Sequence, residues 1–116
     1  MATRISTNLS DASTTGLRFT LADANGDAAV VGAIASISYT LSDTAGTVVN
    51  SLEDEALTPA NPVVIKLTPA DMTATGSAAY VGRYLTVTWT YTDSLLGAGT
   101  VKTAEYYLII ENFVNK

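Results

Sequence analysis

The segment from Arg83 to Thr92 shows a strict two-residue alternation of apolar and threonine side chains. The apolar members are Leu85, Val87, Trp89 and Tyr91, and a threonine occupies every position between and after them. A β-strand directs successive side chains to opposite faces, whereas a helix repeats every 3.6 residues. The pattern therefore predicts a strand with one face toward a core and a threonine face toward water or a partner.

A second long strand is predicted over Val101–Val114. Its alternation places Ala104, Tyr106, Leu108 and Ile110 on one face, and Thr103, Glu105, Tyr107, Ile109 and Glu111 on the other. The segment between the two strands, Asp93–Gly99, is rich in glycine and turn-forming residues. We expect the two strands to form a hairpin with a medium loop.

Shorter strands are predicted upstream from the same periodicity. They cover Leu17–Leu21, Ala33–Leu41, Thr47–Leu52 and Val63–Leu67, with an edge strand at Ile5 and Leu9. Asparagine, aspartate and glycine accept the backbone angles of tight turns, so 23–27 and 43–46 are predicted turns. Six or seven short strands with frequent turns are typical of an all-β sandwich.

One helical turn is predicted over Pro69–Ala74. Thr68 suits the position before a helix, Pro69 suits its first residue, and Asp71 favours the first turn. Gly76 then ends the turn. This segment is expected to connect two strands.

The length and charge of the chain restrict its function. With 116 residues it is expected to form a single domain, residues 1–116. The formal net charge is −5 and the six basic residues are scattered, so no nucleic-acid partner is expected. The polar N-terminus predicts no secretory signal. The sequence also lacks an apolar run of the about 20 residues that a membrane span needs, so no span is predicted.

The chain contains neither cysteine nor histidine. Their absence from the sequence excludes disulfides, thiolate sites and histidine-dependent catalysis, so no enzyme, metal or cofactor is predicted. The turn at 23–27 resembles a calcium loop in its oxygen donors, but Ala28 and Ile34 stand where an EF-hand needs glycine and glutamate. The acidic run 53–55 lacks the separated carboxyl groups of a glycosidase and is interpreted as a solvated loop.

Aromatic residues allow two interpretations. Trp89, Tyr39, Tyr91 and Tyr106 form either a carbohydrate platform or part of the core, and their position on the apolar faces favours the core. Tyr80 and Tyr84 fall on the opposite face and are the candidates for a surface role.

Apolar residues at predicted surface positions are the candidate interface. Leu95 and Leu96 lie in the hairpin loop, where they either contact a neighbouring protein or fold back onto the sandwich. Tyr107 and Ile109, on the second face of the last strand, and Tyr84 extend the candidate interface. An edge strand carrying such residues also favours strand addition by a neighbour.

Four segments resemble a known family of domains. They are 18–27 (RFTLADANGD), 34–49 (IASISYTLSDTAGTVV), 64–72 (VIKLTPADM) and 82–89 (GRYLTVTW). Their strand, turn and helical-turn pattern is similar to the immunoglobulin-like domains of tailed-phage virion proteins, such as those of baseplate upper proteins. The resemblance implies an immunoglobulin-like antiparallel β-sandwich of about seven strands with one short helical turn.

The same resemblance implies a non-enzymatic structural protein of the virion. A head-completion or neck, decoration or baseplate component is expected, made in the host cytoplasm and assembled with itself and with other virion proteins. A homo-oligomer without a cofactor, nucleic acid or membrane partner is thus predicted. The alternative is a carbohydrate- or receptor-binding module of a fibre or bacterial surface protein, using Tyr80 and Tyr84.

Overall fold

A computed structural model describes residues 3–4, 9–10, 13–23, 26–72 and 80–111. Within these ranges the chain forms eight strands and two short 3₁₀ turns, the latter at Val31–Ala33 and Pro69–Met72. The strands are β1 (Thr3–Arg4), β2 (Leu9–Ser10), β3 (Thr15–Phe19), β4 (Ile34–Asp43), β5 (Glu55–Leu57), β6 (Val63–Leu67), β7 (Tyr80–Asp93) and β8 (Gly97–Glu111).

The strands form two sheets, and the predicted all-β sandwich is confirmed. The larger sheet has the order β1-β8-β7-β4-β5, with β2 also paired to β8, and the smaller one consists of β3 and β6. The short β1 and β2 run parallel to β8, while all other pairs are antiparallel. The order β8-β7-β4 in one sheet and β3-β6 in the other corresponds to strands G-F-C and B-E of an immunoglobulin sandwich.

The β7–β8 hairpin extends along the long dimension of the molecule. Its strands have 14 and 15 residues and pair from Tyr80 opposite Glu111 to Asp93 opposite Gly97. Fourteen strand residues span about 45 Å, close to the 51 Å longest extent of the protein. The tip of this hairpin therefore marks one end of the molecule.

The alternation of the two long strands determines which side chains reach the core. Leu85, Val87, Trp89 and Tyr91 of β7 are all buried, as their period of two predicted. The intervening threonines lie on the outer face of the sheet, where Thr88 Oγ1 is 3.2 Å from Thr103 Oγ1 on β8. The indole Nε1 of Trp89 donates a hydrogen bond to the carbonyl oxygen of Ala22 (3.0 Å).

The four aromatic residues assigned to the core differ in depth. Trp89 and Tyr91 are buried, whereas Tyr39 and Tyr106 are only half-buried against the core. Tyr106 packs on Phe19 with ring centroids 4.3 Å apart, and burial raises the pKa of its hydroxyl. The pKa of Tyr39 is also raised, first by burial and then by the charges of Asp71 and Glu55.

The Asn61 side chain holds the segment before β6 to the segment between β3 and β4. Its Oδ1 accepts a hydrogen bond from the Leu21 amide (2.9 Å), and its Nδ2 donates to the carbonyls of Leu21 (3.1 Å) and Ala29 (2.7 Å). Leu21 and Ala29 are both buried, so the amide group satisfies backbone atoms that water does not reach. The peptide bond between Asn61 and Pro62 is cis.

Two predicted boundaries are wrong. The strand expected over Thr47–Leu52 is a turn region with a single bridge to β4, because Asn50 and Ser51 adopt positive φ angles that a strand does not allow. The sheet instead continues with β5, which begins at Glu55 inside the segment interpreted as an acidic loop. The hairpin loop is shorter than predicted, since only residues 94–96 lie between β7 and β8.

The helical turn is confirmed over Pro69–Met72. Asp71 Oδ2 accepts hydrogen bonds from the backbone amide of Thr68 (2.8 Å) and from its hydroxyl (3.0 Å), so the two side chains stabilise the first turn together. The remainder of the predicted turn, residues 73 and 74, lies outside the described residues, as do Gly76 and Ile5. Leu9 pairs with β8 and is buried.

Replacing Trp89 with alanine is expected to lower the free energy of unfolding by about 3–5 kcal/mol, because it leaves a large cavity. Thr88→Ala, on the outer face, is expected to cost less than about 1 kcal/mol. Denaturant unfolding of both variants measures the difference. Similar losses for the two variants would contradict the assignment of the two faces.

Candidate functional site

The hairpin tip is held by the carboxylate of Asp93. Asp93 Oδ2 accepts hydrogen bonds from the backbone amides of Leu95 and Leu96, both at 2.8 Å. The side chain of Asp93 is itself buried, with 6% of its surface exposed. Gly97 has a φ of 89°, which lets the chain reverse into β8. The backbone at the tip is thus stabilised by hydrogen bonds to a buried group.

Both leucines point away from the core. Leu95 is 86% exposed and Leu96 is 63% exposed, so the alternative in which they fold back onto the sandwich is wrong. Exposed apolar side chains that are grouped in this way are candidates for a contact with another molecule. Their role at an interface remains a prediction.

Two further exposed apolar residues lie at the same end of the molecule. Val30 is 73% exposed and Val31 is 44% exposed, in the segment that leads into β4. A small cavity of about 140 Å³ is lined by Val30 together with Thr92 and Ser94, so Val30 lies beside the hairpin tip. The two valines were not predicted from the sequence as interface residues, since they precede the alternation of β4 and are not part of it.

The other predicted interface residues form a separate group. Tyr84 and Tyr107 are cross-strand partners on the outer face, with ring centroids 5.2 Å apart and ring planes at 53°. The neighbouring pair on this face is Gly82 with Ile109. Tyr84, Tyr107 and Ile109 are half-buried, whereas Tyr80, at the start of β7, is 57% exposed.

Gly82 provides the space that the Tyr107 ring occupies. A Cβ atom built at Gly82 would overlap the hydroxyl and ring of Tyr107. The ring therefore lies flat against the backbone of β7, which explains why Tyr107 is half-buried on an outer face.

The two groups are far apart. Nine residues of β7 separate Tyr84 from Asp93, which corresponds to about 30 Å along the strand. The structure therefore does not bring Leu95 and Leu96 together with Tyr84, Tyr107 and Ile109. The predicted interface divides into an apolar tip at one end and an aromatic cluster toward the other.

A larger cavity lies at the end of the molecule opposite the tip. It has a volume of about 630 Å³ and is lined by Asp43, Thr44, Ala45, Val49, Asn50, Ala70, Val81, Gly82 and Arg83. Burial lowers the pKa of the Arg83 guanidinium, and the charge of Asp43 partly offsets this effect. The two residues are register partners across β4 and β7, and both line this cavity.

This cavity was not predicted from the sequence. The alternation in β7 nevertheless contains an indication of it. Arg83 lies two residues before Leu85, on the same face of the strand as the buried residues, so its side chain is directed inward. A charged residue at an inward position near a strand end indicates a polar pocket at the end of the sandwich.

No family model matches the chain, and neither the curated proteins nor the solved structures contain a significant match. Over the ranges that the structure describes, no helix is long and apolar enough to cross a membrane. The same described residues contain no group of three or more acidic side chains placed to hold a metal ion.

Replacing Gly82 with alanine is expected to lower the free energy of unfolding by about 1–3 kcal/mol, because the new methyl group displaces the Tyr107 ring. In a Tyr107→Ala background the same change is expected to cost less, with a coupling of about 0.5–3 kcal/mol. Denaturant unfolding of the four proteins measures this coupling.

Gly16→Ala is the matched control, because a Cβ there meets Val64 Cγ1 at 3.5 Å, an ordinary contact. We expect a change within about 0.5 kcal/mol for this variant. An equal cost of Gly82→Ala with and without the Tyr107 ring would show that the ring does not occupy the space above Gly82.

Proposed function

We propose that the chain is a non-enzymatic structural protein of a tailed-phage virion, acting through contacts with copies of itself and with other virion proteins. A head-completion or neck, decoration or baseplate position fits this role, and the protein would reside in the virion after synthesis in the host cytoplasm. The observation that carries the proposal is the pair of exposed leucines at the hairpin tip, held in place by Asp93.

The geometry of the tip supports a contact role over a role in stability. A leucine that serves the fold would lie in the core, whereas Leu95 and Leu96 leave most of their surface in water. Covering one such side chain stabilises an interface by roughly 1.5–3 kcal/mol, which corresponds to about ten- to a hundredfold in affinity. The hydrogen bonds of the tip backbone to Asp93 reduce the conformational freedom that the tip loses when a partner binds.

The immunoglobulin-like strand order and the absence of histidine and cysteine from the sequence agree with this proposal. Fold alone does not establish function, so the phage assignment depends on the sequence resemblance. The assembly role depends on the exposed hairpin tip. The phage assignment and the assembly role can therefore be tested by separate experiments.

The double variant Leu95→Ser, Leu96→Ser is expected to lose incorporation into virions while keeping the thermal midpoint of the free protein nearly unchanged. Purified particles from a phage that carries the variant gene are assayed for the protein by quantitative mass spectrometry. Val64→Ser, the same kind of apolar-to-serine change at an exposed position of β6, is the control and is expected to be incorporated normally. Unfolding of the double variant, or normal incorporation of it, would contradict the assembly role of the tip.

The second candidate function is binding of a host glycan or receptor, and the exposed ring of Tyr80, at the start of the strand that also carries Tyr84, favours it. An aromatic ring presented on a flat sheet face is a suitable surface for a sugar. A glycan array separates the two functions. Specific sugar binding that is lost with Tyr84→Ala, together with normal assembly of the double leucine variant, would favour glycan or receptor binding.

A further inference from the structure

Two uncharged segments lie at the tip end of the molecule. The first is residues 28–33, Ala-Ala-Val-Val-Gly-Ala, and the second is residues 94–98, Ser-Leu-Leu-Gly-Ala. Seven large hydrophobic residues are exposed in the described part of the chain, and four of them belong to these two segments: Val30, Val31, Leu95 and Leu96. Exposed apolar side chains are therefore concentrated at one end of the protein.

Strand register brings the two segments together. Ile34, the first residue of β4, pairs with Tyr91 of β7 in an antiparallel arrangement. The chain before Ile34 therefore extends toward the same end of the molecule as the chain after Tyr91. The cavity of about 140 Å³ is lined by residues of both parts, 29, 30 and 33 before β4 and 92–94 in the hairpin. We call the combined surface of residues 28–33 and 94–98 the apolar end.

Acidic side chains border the apolar end. Asp23 and Asp93 line the small cavity between the two segments, and no basic residue of the described chain lines it. Asp27 directly precedes the first segment and is exposed. Its amide donates a hydrogen bond to Asp23 Oδ1 (3.1 Å), which keeps these two acidic residues close together. The apolar surface is thus bordered by negative charge.

The hairpin tip alone is too small for a stable contact. A leucine side chain supplies roughly 100 Å² of apolar area, whereas a stable interface buries about 800 Å² on each partner. The segment before β4 enlarges the apolar surface, because Val30 is 73% exposed and Val31 is 44% exposed. A partner that covers the leucines is therefore expected to cover the valines as well.

We propose that both segments of the apolar end bind a recess in a different virion protein, and that this recess is apolar at its centre and basic at its border. This inference rests on the assembly role proposed above and identifies the partner of the hairpin tip by its chemistry. An apolar centre with a polar border is the usual arrangement of a protein interface. Opposite charges at the border orient the two proteins and raise the rate of association.

A second copy of the chain does not have this chemistry. Two apolar ends placed against each other would bring Asp23 and Asp27 of both copies together, and like charges across an interface are unfavourable. The lining of the larger cavity, of about 630 Å³, includes Asp43, Asn50 and Arg83, so it does not match an uncharged tip. The formal net charge of −5 also opposes self-association.

The test lets variants compete with the wild-type chain for places in the virion. Infected host cells express the wild-type chain and one variant at equal levels, and quantitative mass spectrometry measures their ratio in purified particles. Val30→Ser with Val31→Ser is expected to be under-represented at least about tenfold, because two apolar contacts are lost. Val64→Ser, at a valine that is 53% exposed on β6, is the control and is expected to be incorporated like the wild type.

A charge reversal tests the border of the apolar end. Asp27→Lys is expected to be under-represented about two- to fivefold, the effect of losing one exposed ion pair. Glu53→Lys reverses an equally exposed charge outside the apolar end and is expected to be incorporated normally. Equal incorporation of these two variants would contradict a basic border on the partner.

Sedimentation velocity of the free wild-type chain tests the choice of partner. We expect a monomer up to about 100 μM, because a second copy has no matching recess. Association of the wild-type chain that is abolished by Val30→Ser with Val31→Ser would show that the partner is a second copy, and would overturn the inference.

A second measurement does not depend on the valine variant being folded. The thiol of Val30→Cys is expected to react with a maleimide in the free protein and to be protected in virions. Equal reactivity in both would overturn the inference. Thermal unfolding shows whether each serine or lysine variant is folded.

The outcomes separate this inference from the assembly role on which it rests. Loss of the double leucine variant from virions, with normal incorporation of the double valine variant, would overturn the inference and leave the assembly role of the hairpin tip supported. Normal incorporation of both double variants would contradict the assembly role as well.

Discussion

The antiparallel pairing of β7 with β8 is the constraint on which the rest of the molecule depends. The two strands remain paired from Tyr80 opposite Glu111 to Asp93 opposite Gly97, with a register irregularity only near the tip. This register places the tryptophan face of β7 against the small β3–β6 sheet and directs the threonine face outward. It also fixes the distance between the hairpin tip and the cavity at the opposite end.

Each end of the hairpin is adapted to a different task by a few side chains. At the tip, the buried carboxylate of Asp93 satisfies two backbone amides and leaves the leucines no contact with the core. At the far end, Gly82 allows the Tyr107 ring to lie on the strand, and Arg83 enters the cavity wall opposite Asp43.

The sequence allowed the long strands and their faces to be predicted, because a period of two in β7 and β8 has a single structural interpretation. It failed at Thr47–Leu52, where apolar residues suggested a strand but the backbone of Asn50 and Ser51 turns with positive φ. The amino-acid composition of this short segment does not reveal that two of its residues have positive φ angles. The exposed conformation of Leu95 and Leu96 also involves hydrogen bonds from their backbone amides to the Asp93 carboxylate, which no periodicity shows.

The candidate site could be predicted only in part from the sequence, because it depends on contacts between segments that are far apart along the chain. Leu95 and Tyr84 were both selected as apolar or aromatic residues at outer positions, but only the strand length shows that they lie far apart. Val30 joins the tip because the segment before β4 folds beside Ser94, a contact between residues far apart in sequence. The cavity around Arg83 likewise requires three separate segments to meet.

The most direct test of the central claim is the chemical accessibility of the tip in the assembled particle. The chain has no cysteine, so a single Leu95→Cys thiol is a unique label site, and Val64→Cys on β6, where the side chain is 53% exposed, is the comparison. Both thiols are expected to react rapidly with a maleimide in the free protein. In purified virions we predict that the Leu95→Cys thiol is protected while the Val64→Cys thiol remains more reactive. A tip thiol that reacts equally fast in the free protein and in virions would contradict the account.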